Sequence, residues 1–284
     1  MTPLASGRPL LMLVTESHAD LVERVFEAVT GGVDFVCLRA RDLDPEAAAR
    51  LGSAIRDIVI APCRLVINGA PELAVGCKAD GVHLPEAASA SDFERAGRHG
   101  LVIGASVHSL RAAQRAMRLG ASYLLAGSIY ETRSHPGRAP AGLGFLRDVC
   151  NISRVPVLAI GGISPERTPD CLDAGASGVA AISGILGAPS VLEAARSYRG
   201  ALDEHATSRN ARKNLMSTVG VTINGEPREI EQGSTISVFL ASIAINEKTV
   251  VVEYNGNILP RAEYAAQVIG PGDILEIVQM MAGG

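Results

Sequence analysis

The sequence predicts an α/β protein, a (βα)8 TIM barrel followed by a small α+β domain of the β-grasp (ubiquitin-like) type. Between Leu10 and Leu202 one theme repeats eight times, a short apolar run and then an Ala-rich amphipathic stretch. Continuous apolar strands that alternate with helices are typical of a parallel sheet buried on both faces. Eight such units favour closure into a barrel over an open sheet.

The eight apolar runs are the predicted strands of the barrel. They are Leu10–Thr15, Asp34–Arg39, Arg64–Asn68, Gly81–Leu84, Leu101–Ala105, Ser122–Gly127, Pro156–Gly162 and Gly178–Ser183. Helical patterns lie between them, at Ala19–Thr30, Pro45–Val59, Leu110–Leu119, Pro165–Ala174 and Val191–Glu204. Because active sites of such barrels lie at the carboxyl ends of the strands, the residues just after each run are the candidates for function.

The pattern changes after the last helix. The stretch Asp203–Asn214 is polar and mixed in charge, which predicts a linker at 205–217 between a barrel at 1–204 and a second domain at 218–284. The second domain shows a hairpin pattern from Val221, a helix at Ile236–Ile245 and further strands up to Met281. A hairpin, a helix and more strands in so short a segment predict a β-grasp domain, and the chain ends in Gly283-Gly284.

Composition argues against several classes of function. The formal net charge is −4 at pH 7 and no basic stripe is present, which argues against nucleic acid as a partner. The 5 cysteines are scattered without a CxxC pair, which favours buried thiols in a reducing compartment. No basic-then-apolar signal segment and no apolar run near the ~20 residues of a membrane span appear, so we expect a cytoplasmic protein without membrane contact.

Two glycine loops near the end of the barrel predict a phosphate site. Gly161-Gly162 with Ile163 follows the seventh run, and Ile182 with Ser183-Gly184 follows the eighth. Glycines allow close approach of the backbone, and N–H groups at a helix start suit a phosphate dianion. Barrels of this class often bind phosphate in these two loops. Tight βα turns are the alternative interpretation.

Polar residues follow the other strands and face the same end of the barrel. They are Arg39, Arg41, Asn68, His83, Ser106 and His108, and the long loop Ser128–Gly142 adds Thr132 and His135. A long polar loop on a compact scaffold is usually functional. A lone His is more often structural than catalytic, so a structural role stays open for each histidine.

These motifs resemble the thiamine phosphate synthase and thiazole tautomerase (TenI) superfamily over the whole barrel. The matching segments, in order, are CLRAR, VIN with the following LA, ADGVHL, IGASVHS, GSIYET, AIGGI and SGI. The resemblance implies a thiamine-pathway enzyme that takes a thiazole phosphate as its small-molecule substrate. Arg39 would contact the substrate carboxylate, with Arg41 nearby, and the two glycine loops would hold the phosphate.

VINGAPELA, VHLP and YET look more like the tautomerase branch, so a thiazole tautomerase-like isomerase is the first expectation. That branch needs a general base but no cofactor and no metal. Its usual base is a His right after the strand-six Gly, and here that position is Ser128. A hydroxyl is a very weak base, so His135 and His108 are the other catalytic candidates.

The alternative is a thiamine phosphate synthase, a transferase that joins a pyrimidine diphosphate to thiazole phosphate and uses Mg2+. The resemblance implies an Asp after the strand-three Asn and another in a Gln-Glu-Asp stretch after strand four. Gly69 and the stretch Pro85–Ala88, which contains Glu86, stand there, and His135 replaces a loop lysine. A non-catalytic scaffold that binds thiazole phosphate is the third possibility.

The segment Val219–Gly284 resembles the thiamine sulfur-carrier (ThiS) family over its whole length, including the Pro260-Arg261 and Pro271–Asp273 turns. The resemblance implies that Gly284, preceded by Gly283, is adenylated and converted to a thiocarboxylate. It also implies two partners, an ATP-dependent adenylating enzyme (ThiF-like) and a thiazole synthase (ThiG-like). A β-grasp module with an inert tail is the alternative, and the sequence leaves homo-oligomer formation open.

Overall fold

The computed structural model describes residues 8–40, 42–132, 139–216 and 218–279. The chain forms two compact units, Met1–Ala206 and Thr207–Gly284. The boundary between them therefore lies two residues after the predicted end of the barrel at 204. No helix in the described part of the chain is both long and apolar enough to cross a membrane.

The first unit is the predicted barrel. Its strands are β1 (Leu10–Val14), β2 (Phe35–Arg39), β3 (Arg64–Asn68), β4 (Gly81–Leu84), β5 (Val102–Val107), β6 (Tyr123–Gly127), β7 (Val157–Ile160) and β8 (Gly178–Ala181). Each strand pairs in parallel with the next one along the chain, and β8 closes the ring by pairing with β1, Leu10 opposite Gly178. The predicted (βα)8 barrel is confirmed.

Helices follow the strands on the outside of the ring. They are α1 (Leu21–Thr30), α2 (Pro45–Ile58), α3 (Pro71–Gly76), α4 (Ala90–Arg98), α5 (Leu110–Arg118), α6 (Gly142–Ile152), α7 (Thr168–Asp173), α8 (Ser183–Leu186) and α9 (Val191–Met216). A 3-10 turn, Pro165–Arg167, precedes α7 and replaces the first turn of the single helix predicted there. Sequence analysis did not predict α3, α4, α6 or α8, which are short or lack a regular apolar stripe.

Side-chain caps determine where several of these helices begin. The Asp44 carboxylate accepts a hydrogen bond from the N–H of Ala47, directly before the proline that opens α2. Ser89 and Asp92 form a reciprocal capping box at the start of α4. Such caps satisfy N–H groups that have no partner inside the helix, and each contributes about 1 kcal/mol.

Polar residues at the amino ends of the strands fasten neighbouring strands together. The side chain of Asp34, before β2, accepts a hydrogen bond from the N–H of Leu11 in β1. Asp80, before β4, accepts one in the same way from Leu65 in β3. Ser122, before β6, accepts one from Ile103 in β5. This recurring contact closes the end of the barrel opposite the candidate functional residues.

Two apolar layers hold the barrel. A large core lies between strands and helices and includes Leu38, Ile55, Leu65 and Leu124, all fully buried. A smaller core fills the ring and consists of Leu10, Met12, Val14, Phe35, Cys37, Val66, Tyr123, Leu125, Leu158 and Ala180. Because side chains fill the ring, a ligand can enter only at an end of the barrel.

The predicted linker at 205–217 lies almost entirely within a helix. Helix α9 runs from Val191 to Met216, so it includes every predicted linker position except 217. The stretch Asp203–Asn214 is polar and poor in large apolar residues, a pattern that is also typical of a linker. It contains alanine, arginine and lysine, which are good helix formers, and α9 continues through it.

The second unit is a five-stranded mixed sheet with one longer helix. Its elements are β9 (Thr218–Ile223), β10 (Glu226–Glu231), α10 (Ile236–Ser242), β11 (Val250–Tyr254), β12 (Asn257–Leu259) and β13 (Ile274–Gln279). The strand order is β10-β9-β13-β11-β12, with β9 and β13 parallel at the centre. Helix α10 buries Ile236, Phe239 and Leu240 in a core shared with the sheet, as expected for a β-grasp domain.

Candidate active site

A cavity of about 680 Å3 opens at the carboxyl ends of the barrel strands. Its lining includes most of the residues that the sequence predicted for the site. These are Arg39, Asn68, Ser106, His108, Ser128, Thr132, Gly161, Gly162, Ile163, Ile182, Ser183 and Gly184. The structure thus brings side chains from six strand ends into one space, while their roles stay predictions.

Four predicted residues cannot be placed. Arg41, His135, Gly283 and Gly284 lie outside the described residues.

The loop after β7 has a backbone that only glycine adopts readily. Gly162 has φ +62°, and a Cβ added there would lie 2.1 Å from the carbonyl oxygen of Glu131. Gly161 has φ +102°, and its Cβ would lie 2.6 Å from that of Ser128. The loop after β6 therefore packs directly on the loop after β7, and side chains are excluded where the two backbones meet.

Backbone donors face the cavity where the β7 and β8 loops come together. Among the described residues, no hydrogen bond engages the N–H groups of Gly162, Ile163, Ser183 or Gly184, all of which line the cavity. Backbone N–H groups that have no partner in the protein and converge on one cavity wall form a suitable place for an anionic ligand. We call these four residues the phosphate cradle.

Tyr198 of α9 contacts the backbone of the phosphate cradle. Its hydroxyl donates a hydrogen bond of 2.7 Å to the carbonyl oxygen of Ile163. A Cβ added at Gly184 would lie 2.2 Å from the same hydroxyl oxygen. Burial raises the pKa of Tyr198 to about 12, so the hydroxyl stays protonated and remains a donor. Sequence analysis missed this residue because nothing local separates it from other core residues of the helix.

Arg167 adds a full positive charge at the rim of the cradle. Its guanidinium donates a hydrogen bond of 2.7 Å to the carbonyl oxygen of Gly162. Its central carbon lies 4.7 Å from the centroid of the Tyr130 ring. Arg167 lines the cavity together with Ser164. Sequence analysis also missed this residue, although its position just after a glycine loop was a usable signal.

The wall formed by β2 to β5 carries different polar groups. Arg39 and Asn68 end β2 and β3, which lie across the ring from β6 and β7. His83 of β4 is fully buried, with Nδ1 3.1 Å from the Tyr123 hydroxyl and Nε2 2.8 Å from Ser106 Oγ. Both ring nitrogens of His83 are therefore engaged within the protein, which favours a structural role for this histidine.

His108 differs from His83 in both position and partners. Its Nδ1 and its backbone N–H both approach one carboxylate oxygen, Oε2 of Glu86. Its side chain is 36% exposed and lines the cavity, whereas Glu86 is not part of the lining. A carboxylate on Nδ1 orients the ring and leaves Nε2 as the atom that can exchange a proton with a ligand.

The residues at the barrel mouth do not fit a carboxylate-held magnesium site. Gly69 and Ala88 have no side-chain carboxylate, and the Glu86 carboxylate is engaged by His108. The described residues include no group of three or more His, Cys, Asp or Glu side chains that could hold a metal ion. Mg2+ requires hard oxygen ligands, typically one or two carboxylates besides the phosphates of its substrate.

Family comparisons divide the chain as the fold does. A model of the thiamine monophosphate synthase family matches residues 11–185, and a ThiS family model matches 221–284. The thiamine-phosphate synthase of Roseiflexus castenholzii is 34% identical over 194 residues, which cover 66% of this chain and 85% of that protein. The bifunctional protein ThiED of Geobacter sulfurreducens is 34% identical over 185 residues, 63% of this chain and 37% of that protein.

A solved structure shows the same arrangement of the barrel. The thiamine phosphate pyrophosphorylase of Pyrococcus furiosus aligns with a TM-score of 0.63 and 30% sequence identity. The alignment covers 69% of this chain and 96% of that one.

Proposed function

Because the chain belongs to the thiamine monophosphate synthase family and carries a ThiS-family domain at its end, we propose that it makes thiamine phosphate and carries sulfur for the same pathway. The barrel would transfer the pyrimidinylmethyl group of a pyrimidine diphosphate to the ring nitrogen of thiazole phosphate. One C–O bond breaks, one C–N bond forms, and diphosphate leaves. Thiamine biosynthesis as the general role follows from the two domains together.

One observation carries the transferase proposal, the presence of two polar ends in one cavity. The phosphate cradle lies at β7 and β8, while Arg39 and Asn68 end strands across the ring. A reaction of two phosphorylated substrates needs two such ends, and holding both substrates in one cavity makes their encounter intramolecular. Arg39 at the far end is a suitable partner for the charge of the leaving diphosphate.

The comparisons favour the transferase over the isomerase that sequence analysis put first. The matching family and the relative from Roseiflexus castenholzii carry the name of thiamine-phosphate synthase. Bound Mg2+ would neutralise the charge of a diphosphate. The groups present do not fit this ion, because positions 69 and 88 are Gly69 and Ala88, which have no carboxylate. The proposal therefore assigns binding and charge neutralisation to the residues of the chain alone.

A second candidate function, isomerisation of a thiazole carboxylate phosphate, is supported by the Glu86–His108 pair. In that reaction a base removes a proton from the ring carbon that bears the carboxylate, and a proton is delivered to the exocyclic carbon. No atom is gained or lost. An imidazole oriented by a carboxylate at a cavity wall suits such a base. The absence of the two expected carboxylates has no cost for this reaction, which needs no metal.

For the second domain we propose that Gly284 carries the sulfur as a thiocarboxylate. Its partners would be an ATP-dependent adenylating enzyme and a thiazole synthase, both reached through the glycine tail. A chain that joins the carrier to the barrel raises the effective concentration of one near the other. The proposal places this activity in the cytoplasm, as the sequence predicts.

A pair of assays on the full-length chain tests the barrel proposal. One assay supplies pyrimidine diphosphate and thiazole phosphate, with and without Mg2+, and measures thiamine phosphate and released diphosphate. The other supplies the thiazole carboxylate phosphate and follows its isomerisation. Transfer in the first assay supports the proposal. Isomerisation without transfer favours the second candidate, and ligand binding without either reaction leaves a scaffold.

The carrier proposal has its own test. The chain is incubated with the adenylating enzyme, ATP and a sulfur donor, and the mass of its C-terminal peptide is measured. Replacement of one oxygen by sulfur on Gly284 is the expected result, and a chain that lacks the last two glycines is the control. An unmodified tail under conditions that modify an authentic ThiS protein would contradict the proposal.

A further inference from the structure

The cation nearest to the phosphate cradle along the chain is Arg167, in the 3-10 turn that follows the β7 loop. Its guanidinium is bound to the cradle itself, because the acceptor of its 2.7 Å hydrogen bond is the carbonyl oxygen of Gly162. The contact places a full positive charge next to the open N–H groups of the loop. Arg167 also lines the cavity, so the charge faces the space where a ligand would lie.

A second contact restricts the orientation of this side chain. The guanidinium carbon lies 4.7 Å from the centroid of the Tyr130 ring. A guanidinium over an aromatic face is attracted by the ring and keeps its plane roughly parallel to it. The edge of the guanidinium, where the N–H donors project, then stays free to meet a ligand. Among the described residues, the Gly162 carbonyl is the hydrogen-bond acceptor that this guanidinium engages.

The cavity also contains a negative charge that would oppose phosphate binding, and Arg167 can offset it. Glu131 contributes a carboxylate to the same cavity, and its backbone packs on Gly162. A phosphate dianion in the cradle would meet that like charge, and backbone N–H groups offer only partial positive charges. Arg167 has five N–H donors, of which one is needed for Gly162, so it can add charge-assisted hydrogen bonds to a phosphate.

We infer that Arg167, held by Gly162 and Tyr130, binds the phosphate of the substrate and makes the cavity prefer phosphorylated thiazoles to the free alcohols. The inference rests on the proposed use of the cradle for phosphate, but it holds for transfer and isomerisation alike. It assigns substrate selection to a side chain in addition to the backbone. Arg39, at the end of β2, is left to bind the other end of the substrates.

Binding of inorganic phosphate to the full-length chain tests the inference without knowledge of the reaction. Titration calorimetry compares the unaltered chain with Arg167→Gln, Arg167→Lys and the matched control Arg154→Gln. Arg154 is exposed just before β7, at the opposite end of the barrel, so its loss changes net charge equally. Thermal unfolding of each variant shows whether it is folded.

We expect Arg167→Gln to weaken phosphate binding about tenfold or more, because charge-assisted hydrogen bonds are lost. Arg167→Lys should retain part of the affinity, and Arg154→Gln should bind like the unaltered chain. Tyr130→Leu should weaken binding less than Arg167→Gln, since the cation remains but loses its support. In substrate assays, Arg167→Gln should raise KM for the phosphorylated thiazole more than KM for the free alcohol.

Two results would overturn the inference, and they differ. Equal phosphate affinity in the unaltered chain and Arg167→Gln would remove Arg167 from the site but leave the cradle intact. No phosphate binding by the unaltered chain would exclude the cradle itself and Arg167 with it. An equal loss in Arg154→Gln would show that only net charge matters, which also contradicts the assignment.

Discussion

The hydroxyl of Tyr198 and the carbonyl oxygen of Ile163 are joined by a hydrogen bond of 2.7 Å across 35 positions of sequence. The contact connects the last barrel helix, α9, to the loop after β7, and the same hydroxyl lies where a Cβ on Gly184 would be. One side chain therefore positions both halves of the phosphate cradle.

The relationship predicts that Tyr198 and Gly184 are coupled. Gly184→Ala should abolish phosphate binding and destabilise the barrel, because its Cβ would lie 2.2 Å from the hydroxyl oxygen. Tyr198→Phe should cost about 1 kcal/mol of unfolding free energy by losing one buried hydrogen bond. In the double variant the clash is relieved, so its loss of stability should be smaller than the sum of the two single losses.

Urea unfolding of the four proteins measures that coupling. Additive losses would show that the two residues do not contact each other in solution. Phosphate titration of the same set should rank the single Gly184→Ala variant lowest.

We expect Gly162→Ala and Gly200→Ala to have different effects on phosphate binding and stability. At φ +62° an alanine is strained, and its Cβ would lie 2.1 Å from the Glu131 carbonyl oxygen, so Gly162→Ala should lose phosphate binding by tenfold or more, a cost on the order of 1.4 kcal/mol. Gly200→Ala in α9 meets no atom within 4 Å and should stabilise the chain by about 0.5–1 kcal/mol. Equal effects of the two changes on binding would contradict the close approach of the two loops.

The Glu86–His108 pair predicts a selective loss of proton transfer. If the barrel isomerises its substrate, His108→Asn should lower kcat by about 100-fold or more while phosphate binding is kept. Glu86→Gln should lower kcat less, because the imidazole is kept and loses only the carboxylate that orients Nδ1. His99→Asn, at the exposed end of α4, is the control.

The same variants should behave differently if the barrel catalyses transfer. If the barrel is a transferase, His108→Asn should change diphosphate release only through binding, seen as a raised KM. Unchanged isomerisation in His108→Asn would exclude this imidazole as the base.

Arg199 predicts a large structural effect far from the cavity. It is 8% exposed and binds Asp34 at 3.0 Å and the carbonyl oxygen of Pro9 at 2.8 Å, as well as Asp203. Arg199→Met should cost about 3 kcal/mol, because the mostly buried Asp34 loses one of its two arginine partners. Arg196→Met removes an exposed pair with Glu193 and should cost less than about 0.5 kcal/mol.

Thermal and urea unfolding of both arginine variants check this prediction. Similar small losses would show that Arg8, the other partner of Asp34, compensates for Arg199.

Asp273 predicts that the second domain loses stability in acid. Burial opposes its ionisation, but hydrogen bonds from Tyr254, Asn255 and the N–H of Gly270 outweigh it and hold the pKa below the ordinary 3.8. A carboxyl with a lowered folded pKa contributes stability above its unfolded pKa, and this contribution is lost as the pH falls through the folded value. The loss should therefore occur below about pH 4.

NMR signals of the second domain, followed from pH 7 down to pH 2, test the acid prediction. Asp273→Asn should lower stability at pH 7 and flatten the acid transition. An identical pH dependence in the variant would show that Asp273 contributes nothing to it.

Sequence patterns were sufficient for the architecture. The eight barrel strands agree with the predicted runs within two residues at each end, because burial on both faces leaves an apolar signature inside each strand. The two glycine loops were predictable for a similar reason, since φ +102° at Gly161 and +62° at Gly162 are local demands that a residue type can record. The continuation of α9 through 205–216 was not predictable in this way, because this polar stretch has no regular apolar stripe.

Which residues meet at the cavity could not be predicted from the sequence, because the contacts join positions that are far apart along the chain. Glu86 and His108 are 22 positions apart, and neither has a local pattern that reveals the other. The contact of Arg167 with the Tyr130 ring and the hydrogen bond of Tyr198 to Ile163 are visible only in the tertiary structure. His83 and His108 both line the cavity, yet both ring nitrogens of His83 are bound within the protein, whereas Glu86 approaches only Nδ1 of the His108 ring.

The sequence by itself determined the barrel, the attached β-grasp domain, the family of each and the place of the two glycine loops, because these follow from periodicity and residue type at neighbouring positions. Only the tertiary structure decided which partners the histidines, Tyr198 and Arg167 contact at the cavity. Those roles depend on distances between side chains from different strands and helices, and closure of the ring sets such distances without leaving a local record in the chain.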